Sequence, residues 1–299
     1  MPAVVLNGKE LAEELRLELT AQVKSLKPQG VVPGLAVILV GDDPASASYV
    51  LGKEKACRDI GMNSFDHRLP ASTTEEELLQ LISILNQRKD VDGILVQLPL
   101  PAHINAQRVL RTIEADKDVD GFHPISLGKM LLGEPTFLPC TPFGVVKLLE
   151  KAQVPLAGAE VVIVGRSNIV GKPLAVMLMQ APYHATVTVC HTKTKDLAAH
   201  VRKADIVIAA VGHPGTISAD MVKPGACVID VGVSRVEDAT KAKGFRLAGD
   251  VDYEAVSALA SHITPVPGGV GPMTITMLMY NTVYSACRRH SIPFSPRGY

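Results

Sequence analysis

Residues 160–173 read EVVIVGRSNIVGKP, and this stretch decides the fold. Glu160–Val164 is a short run rich in valine and isoleucine, as expected of a strand buried on both faces. Gly165 to Gly171 form a turn with glycine at each end, and from Pro173 the pattern becomes helical. A strand, a glycine turn and a helix bring backbone N–H groups and a helix N-terminus together, where a pyrophosphate can be held. The match to G-x-G-x-x-G is incomplete: Ser167 replaces the second glycine and the last glycine comes one residue late. A turn that merely packs a helix on a sheet would need no more than this. The next strand, Thr186–Cys190, sharpens the reading. An NAD-binding unit usually ends this strand with an acid that accepts the ribose hydroxyls. Here His191-Thr192-Lys193-Thr194 follows, with no acid before Asp196. A carboxylate repels a 2′-phosphate, whereas hydroxyls and cations, Arg166 among them, favour it; the pocket therefore leans toward NADP. His191 and Lys193 read equally well as solvated loop residues.

The alternation extends in both directions. Downstream, a helix over 196–203, strands over 205–212 and 227–233, and a last helix from about 274 to 289 are expected. Upstream, Leu11, Leu15, Leu19, Val23 and Leu26 share one helical face, and residues 35–41 form a buried strand. A helix follows from Pro44 to about Ile60. Thr73-x-x-Glu76 offers a capping box for a helix carrying Leu78, Leu81, Ile82 and Leu85, and 91–98 is another strand. The stretch 114–142, dense in Pro, Gly and Asp, reads as an interdomain crossing or a substrate loop, with a helix over 142–152 after it. The expected architecture is two α/β domains, the second a Rossmann-like dinucleotide-binding domain, with a cleft between them. The first takes residues 1–141 plus a C-terminal helix within 274–299, the second residues 142–273.

The 299 residues, 47% of them hydrophobic, suffice for two cores. Thirty basic residues balance thirty acidic ones, so no overall basic field points to nucleic acid or an anionic membrane surface. Five cysteines, an odd number with no C-x-x-C pair, suit neither a zinc site nor a disulfide framework and read as idle thiols in a reducing compartment. No metal is expected. The N-terminus lacks a secretory pattern and no apolar run approaches the ~18 residues of a membrane span, so a cytoplasmic enzyme is expected.

Chemistry-bearing residues gather in the first half. Tyr49 and Lys53 are four apart on one helix and share a face. With Glu54 and Lys55 beside it, Lys53 reads by position as a solvated charge, and Tyr49 as a boundary core residue. Gln97 changes the weighing: an amide in an otherwise apolar strand needs partners, and at the carboxyl end of a parallel strand it points toward a ligand. Asp118 and Asp120 lie in KDVDG, too short of ligands for a calcium loop. Residues 264–274, TPVPGGVGPMT, form a stiff uncharged loop that lets backbone approach a ligand or simply makes a tight connection.

Taken together, SASYVLGKEKA (46–56), DGILVQLPLP (92–101), EADKDVDGFHP (114–124), PCTPFG (139–144), VVIVGRSNIVGKP (161–173), VIDVGV (228–233) and TPVPGGVGPMT (264–274) resemble the methylenetetrahydrofolate dehydrogenase/cyclohydrolase family over nearly the whole chain. The resemblance implies a homodimer that oxidises 5,10-methylenetetrahydrofolate with NADP⁺ and hydrolyses the methenyl product to 10-formyltetrahydrofolate. It implies that Lys53 is the key catalytic residue, that Tyr49 positions the folate, that Gln97 supports Lys53 and that Asp120 anchors the pterin. Leu98, Pro267, Gly268 and Gly269 join the substrate contacts. Gly165, Arg166, Ser167, Ile169, Val170, Gly171, His191, Thr192, Val211, Gly212 and Val233 form the implied cofactor contacts. Thr192 stands where many members have serine, and both supply a hydroxyl. Two other readings compete. A shikimate-type NADP dehydrogenase also uses a lysine, and a nucleotide-sensing module needs only the second domain but leaves Tyr49, Lys53, Gln97 and Asp120 without a task.

Overall fold

The computed structural model describes residues 2–241 and 244–296. In chain order these form β1 (Val4–Val5), α1 (Gly8–Leu26), β2 (Gly34–Val40), α2 (Pro44–Ile60), β3 (Asn63–Leu69), α3 (Glu75–Gln87), β4 (Gly93–Val96), α4 (Ala106–Thr112) and α5 (Pro124–Leu132). There follow α6 (Cys140–Lys151), β5 (Glu160–Val164), α7 (Gly171–Met179), β6 (Thr186–Cys190), α8 (Leu197–Val201), β7 (Ile206–Ala209) and β8 (Cys227–Asp230). Last come β9 (Ser234–Glu237), β10 (Phe245–Ala248), α9 (Tyr253–Ser257), β11 (His262–Ile263) and α10 (Val270–Arg289).

The chain divides into two compact units, Glu13–Cys140 with Ile275–Tyr299, and Met1–Ala12 with Thr141–Thr274. In the first, β3, β2 and β4 make a parallel sheet in that order. All seven residues of β2 are buried, as its apolar run predicts. Ala36, Ile38 and Val40 pack with Leu78, Ile82 and Leu85 of α3 and with Val109 of α4. Each leucine, isoleucine or valine among them, removed from water, contributes about 1.5–3 kcal/mol. The capping box of α3 lies one residue beyond the expected Thr73/Glu76 pair. Thr74 Oγ1 accepts from Glu77 N (3.3 Å), and Glu77 Oε2 accepts from Thr74 N (2.8 Å). Thr73 is itself buried, so it is not free to cap. With glutamates at 75, 76 and 77, the sequence offers three partners; the buried face of Leu78, Ile82 and Leu85 selects one.

The second unit holds a six-stranded parallel sheet in the order β1-β11-β8-β7-β5-β6 and the antiparallel hairpin β9–β10. One domain boundary and one helix start expected from the sequence shift. Residues 1–12 belong here and not with the first domain, because Val4 and Val5 pair in parallel with His262 and Ile263. The C-terminal helix starts earlier, at Val270, and ends at Arg289; residues 297–299 of the expected span lie outside the described ones. Other differences are local. The loop expected over 114–142 contains α5, with the His123 ring nitrogen accepting from Ile125 N (3.1 Å) at its start and left-handed Gly133 at its end. The strand β3, NSFDHRL, has no apolar run to announce it; it is an edge strand and only part of each side chain is covered.

Among the described residues no helix is long and apolar enough to cross a membrane, and no group of His, Cys, Asp or Glu is placed to hold a metal ion. All five cysteines are buried and free.

Candidate active site

In the first unit, α2 starts at Pro44 with Asp43 accepting from Ser46 N (2.7 Å). Its buried stripe runs Ser46, Val50, Lys53, Cys57, Ile60, at spacings of three and four. Lys53 thus lies in the apolar seam, 7% exposed, and is not the solvated charge its immediate neighbours suggest. Tyr49, one turn before it, is 41% exposed. Gln97 sits just past the end of β4, where its N–H donates to Ile38 O (2.8 Å) and extends the ladder by one bond. Its Oε1 accepts from Lys53 Nζ (2.8 Å), and its Nε2 donates to Leu98 O (2.7 Å). The second bond fixes the amide's orientation, so an oxygen faces the amine. Leu98 is half-buried and precedes a cis proline, Pro99.

Asp120 and Cys140 complete the surroundings of Lys53. Burial lowers the Lys53 pKa, against the pull of Asp120 and Cys140. Burial also raises the Asp120 carboxyl above the usual range, against the pull of Lys53 and a hydrogen bond from Cys140. Both shifts favour neutral forms, so desolvation outweighs the mutual attraction. The loop that carries Asp120 is held from several sides. Asp118 is 1% exposed; its carboxylate accepts from Phe122 N (3.2 Å), His123 N (2.7 Å) and Ser126 Oγ (3.0 Å). Burial pushes its pKa up to about 7 despite these bonds. Lys117 Nζ donates to the carbonyls of Leu85, Asn86 and Arg88 (3.0, 2.6 and 2.7 Å), closing the C-terminal end of α3. From α10, fully buried Asn281 donates to Val119 O (2.8 Å) and Leu138 O (2.9 Å), on either side of the loop. From sequence Cys140 reads as an idle thiol, and Asn281 is not among the residues that stand out as site candidates. An amide and three hydroxyls at Thr276, Asn281, Thr282 and Ser285, set among the apolar residues of the helix, are the signal that a buried hydrogen-bond network lies there.

In the second unit, the β5–α7 turn lies at the carboxyl end of the sheet. Gly165 has φ +128°, and a Cβ there would come within 2.1 Å of Ala210 O. A Cβ on Gly171 would come within 2.0 Å of Gly165 O. The two glycines let strand, turn and helix close on one another. Arg166, Ser167 and Ile169 are exposed, and Val170 is half-buried at the helix start. Ser167 Oγ accepts from Val170 N (3.1 Å), occupying one turn N–H with a side chain where a second glycine would leave it bare. At the end of β6, Thr194 Oγ1 accepts from His191 N (2.8 Å) and folds the loop back; Thr192 is exposed. Asp196, the first acid after β6, accepts from Ala199 N (3.0 Å) as the N-cap of α8 and is occupied there. Val211 and Gly212 follow β7 and Val233 follows β8; all three are exposed. Pro267 is exposed, Gly268 half-buried and Gly269 buried, in a turn containing the cis peptide Val266–Pro267.

A glycine-shaped strand–turn–helix on a parallel sheet, with no acid free after the second strand, defines an NAD(P)-binding α/β protein. The comparisons carry this to a family. Residues 139–290 match the tetrahydrofolate dehydrogenase/cyclohydrolase NAD(P)-binding domain, and residues 6–120 the catalytic domain of the same family. The bifunctional protein FolD of Geotalea daltonii is 59% identical over 96% of this chain and all of its own. That of Bacillus subtilis is 57% identical over 96% of this chain and 99% of its own. Among solved structures, the bifunctional FolD of Campylobacter jejuni superposes with a TM-score of 0.91 at 51% identity, covering 96% of this chain and 99% of its own. The Trypanosoma brucei enzyme, solved with NADP and an inhibitor, gives 0.93 at 40% identity, covering 97% and 99%. The chain belongs to the tetrahydrofolate dehydrogenase/cyclohydrolase family.

Proposed function

We propose that the chain oxidises 5,10-methylenetetrahydrofolate with NADP⁺ and hydrolyses the resulting 5,10-methenyltetrahydrofolate to 10-formyltetrahydrofolate. The observation that carries this reading is the burial of Lys53 against the neutral amide of Gln97. Attack of water on the methenyl cation needs a base, and an amine serves only when unprotonated. Burial lowers the Lys53 pKa, and Gln97 accepts its hydrogen bond without adding the negative charge that would raise it again. A cationic substrate pushes in the same direction. The water oxygen bonds to the methenyl carbon as Lys53 takes its proton. The carbon's bond to N5 then breaks, with N5 taking a proton from the Lys53 ammonium. The new hydroxyl gives up its own proton to leave the formyl group, and one proton is released overall.

Asp120 takes the pterin's N–H donors. These donors add to the hydrogen bond from Cys140 and favour the charged form. Tyr49, exposed one turn from Lys53, packs against the folate together with Leu98; Pro267, Gly268 and Gly269 are further folate contacts. NADP⁺ supplies the hydride acceptor when bound. The turn at Gly165, Arg166, Ser167, Ile169, Val170 and Gly171 holds its phosphates. His191 and Thr192 flank the 2′-phosphate, and Val211, Gly212 and Val233 line the rest. The chain acts in the cytoplasm as a homodimer, paired through the edge of the dinucleotide unit's sheet. Light scattering at micromolar concentration, giving the mass of one chain, would overturn the dimer.

Absorbance tests the reaction: methylenetetrahydrofolate and NADP⁺ yield methenyltetrahydrofolate and NADPH together, and the methenyl signal then decays faster than it does without enzyme. Dinucleotide binding with neither change would overturn the assignment.

A further inference from the structure

Two carboxylates with no place in the chemistry above lie buried at the carboxyl ends of β7, β8 and β11. Asp250 is 0% exposed and Asp230 4%. Asp250 Oδ2 accepts from Val211 N (2.6 Å) and Gly212 N (2.9 Å), the residues that turn the chain after β7. Asp230 holds Asp250 in turn: its Oδ1 accepts from Asp250 N (3.0 Å) and Gly232 N (3.0 Å), and its Oδ2 from Val251 N (2.9 Å). The Asp230 N–H donates to Thr264 Oγ1 (2.7 Å), which fixes its own position. The carboxylates fit only because their neighbours are glycines. A Cβ on Gly232 would come within 2.2 Å of the Asp250 carboxylate, and one on Gly249 within 1.9 Å of Asp230 Oδ2.

This arrangement is costly. Burial pushes the Asp230 carboxyl up to about 6, and Asp250 Oδ1 is buried without a hydrogen-bond partner. Well-packed apolar side chains would stabilise the same corner better, but they cannot fix two adjacent N–H groups in one orientation. Costly polar groups of this kind concentrate where a particular backbone shape is needed, and here the shape is that of an exposed loop at the ligand-binding edge of a parallel sheet.

We propose that Asp250 is a positioning residue for the dinucleotide, its carboxylate setting the loop at Val211 and Gly212 into its binding shape before the cofactor arrives. The proposal rests on the reading that this loop contacts NADP⁺. In the wild-type protein, hydrogen exchange at Val211 and Gly212 is expected to be slow without cofactor and little changed by it. Protection that appears only with NADP⁺ would overturn the proposal, whatever the fate of any variant. For Asp250→Ala, the KM for NADP⁺ is expected to rise about tenfold, with methenyltetrahydrofolate hydrolysis, measured without cofactor, within twofold. Asp250→Asn keeps an acceptor oxygen and is expected to restore most of the KM. An unchanged KM in Asp250→Ala, beside normal wild-type turnover, would sink the positioning role alone. Wild-type protein with no NADP⁺-dependent turnover would instead sink the functional reading on which it rests.

Discussion

The two candidate sites in this molecule are made of different material. Around Lys53, side chains do the work: a buried amine and thiol meet a half-buried amide and carboxyl, and the neighbours of each set its charge. Around Gly165 the backbone does it. Glycines permit the turn, a serine hydroxyl occupies one N–H, and an aspartate ties two more, while Arg166 and Thr192 remain exposed. The proposed proton site is buried at its lysine; the proposed dinucleotide site is exposed along its glycine turn. Substitutions should therefore act on chemistry in the first and on geometry or affinity in the second.

The largest test of this contrast is Lys53→Met. The buried stripe accepts an unbranched apolar chain, so melting should stay within a few degrees of wild type or rise, while methenyltetrahydrofolate hydrolysis falls about 10²–10⁴-fold. Hydrolysis within about threefold of wild type would place the base elsewhere. Next is Gly165→Ala, which forces a Cβ against Ala210 O at a positive φ. A stability loss of roughly 2–4 kcal/mol in urea titration and a parallel loss of NADP⁺ binding are expected. Full NADP⁺ affinity in this variant would show that the turn's shape is dispensable. Gln97→Glu sharpens the other side. A carboxylate beside Lys53 raises the amine's pKa, so the hydrolysis–pH profile should move to higher pH, with a loss of about tenfold near neutrality. With the neutral amine as the proposed active form, the wild-type rate should rise with pH and level off below the ordinary lysine pKa of 10.5. A profile that falls with rising pH would reverse the sign of the argument. The smallest effect is expected from Arg166→Ala, because the group is exposed. The NADP⁺/NAD⁺ ratio of kcat/KM should drop about fivefold, and an unchanged ratio would remove Arg166 from 2′-phosphate recognition.

The fold was largely legible from sequence. Apolar runs gave β2, β5 and β7, and heptad-like spacing gave α1, whose Leu11, Leu15, Leu19, Val23 and Leu26 are all buried. What escaped was whatever tertiary pairing decides. The polar β3 depends on β2 for its ladder, and the two-residue β1 exists only because β11 lies beside it. Capping signals were read in kind but not in register, as Thr74 shows. Lys53 is the instructive case. Read beside Glu54 and Lys55 it is a surface charge; read along Val50, Cys57 and Ile60, three, four and seven residues away, it belongs to the core. The sequence held both patterns, and the helical period was the better guide. The Asp250 bond to Val211 and Gly212 spans 39 and 38 residues and had no local sign.

Asn281 has a consequence in the order of synthesis. The unit that carries Lys53 is discontinuous: residues 13–140 are made before residues 141–274 of the other unit, and most of the helix that supplies Asn281 only after them. Until then the carbonyls of Val119 and Leu138 lack the donor that joins them, and the Asp120 loop between them has no anchor on that side. The nascent chain therefore has the long strands of the second unit's sheet before it has the helix that anchors the Asp120 loop. A chain still short of α10 holds every long strand of the second unit but not the donor that anchors the Asp120 loop.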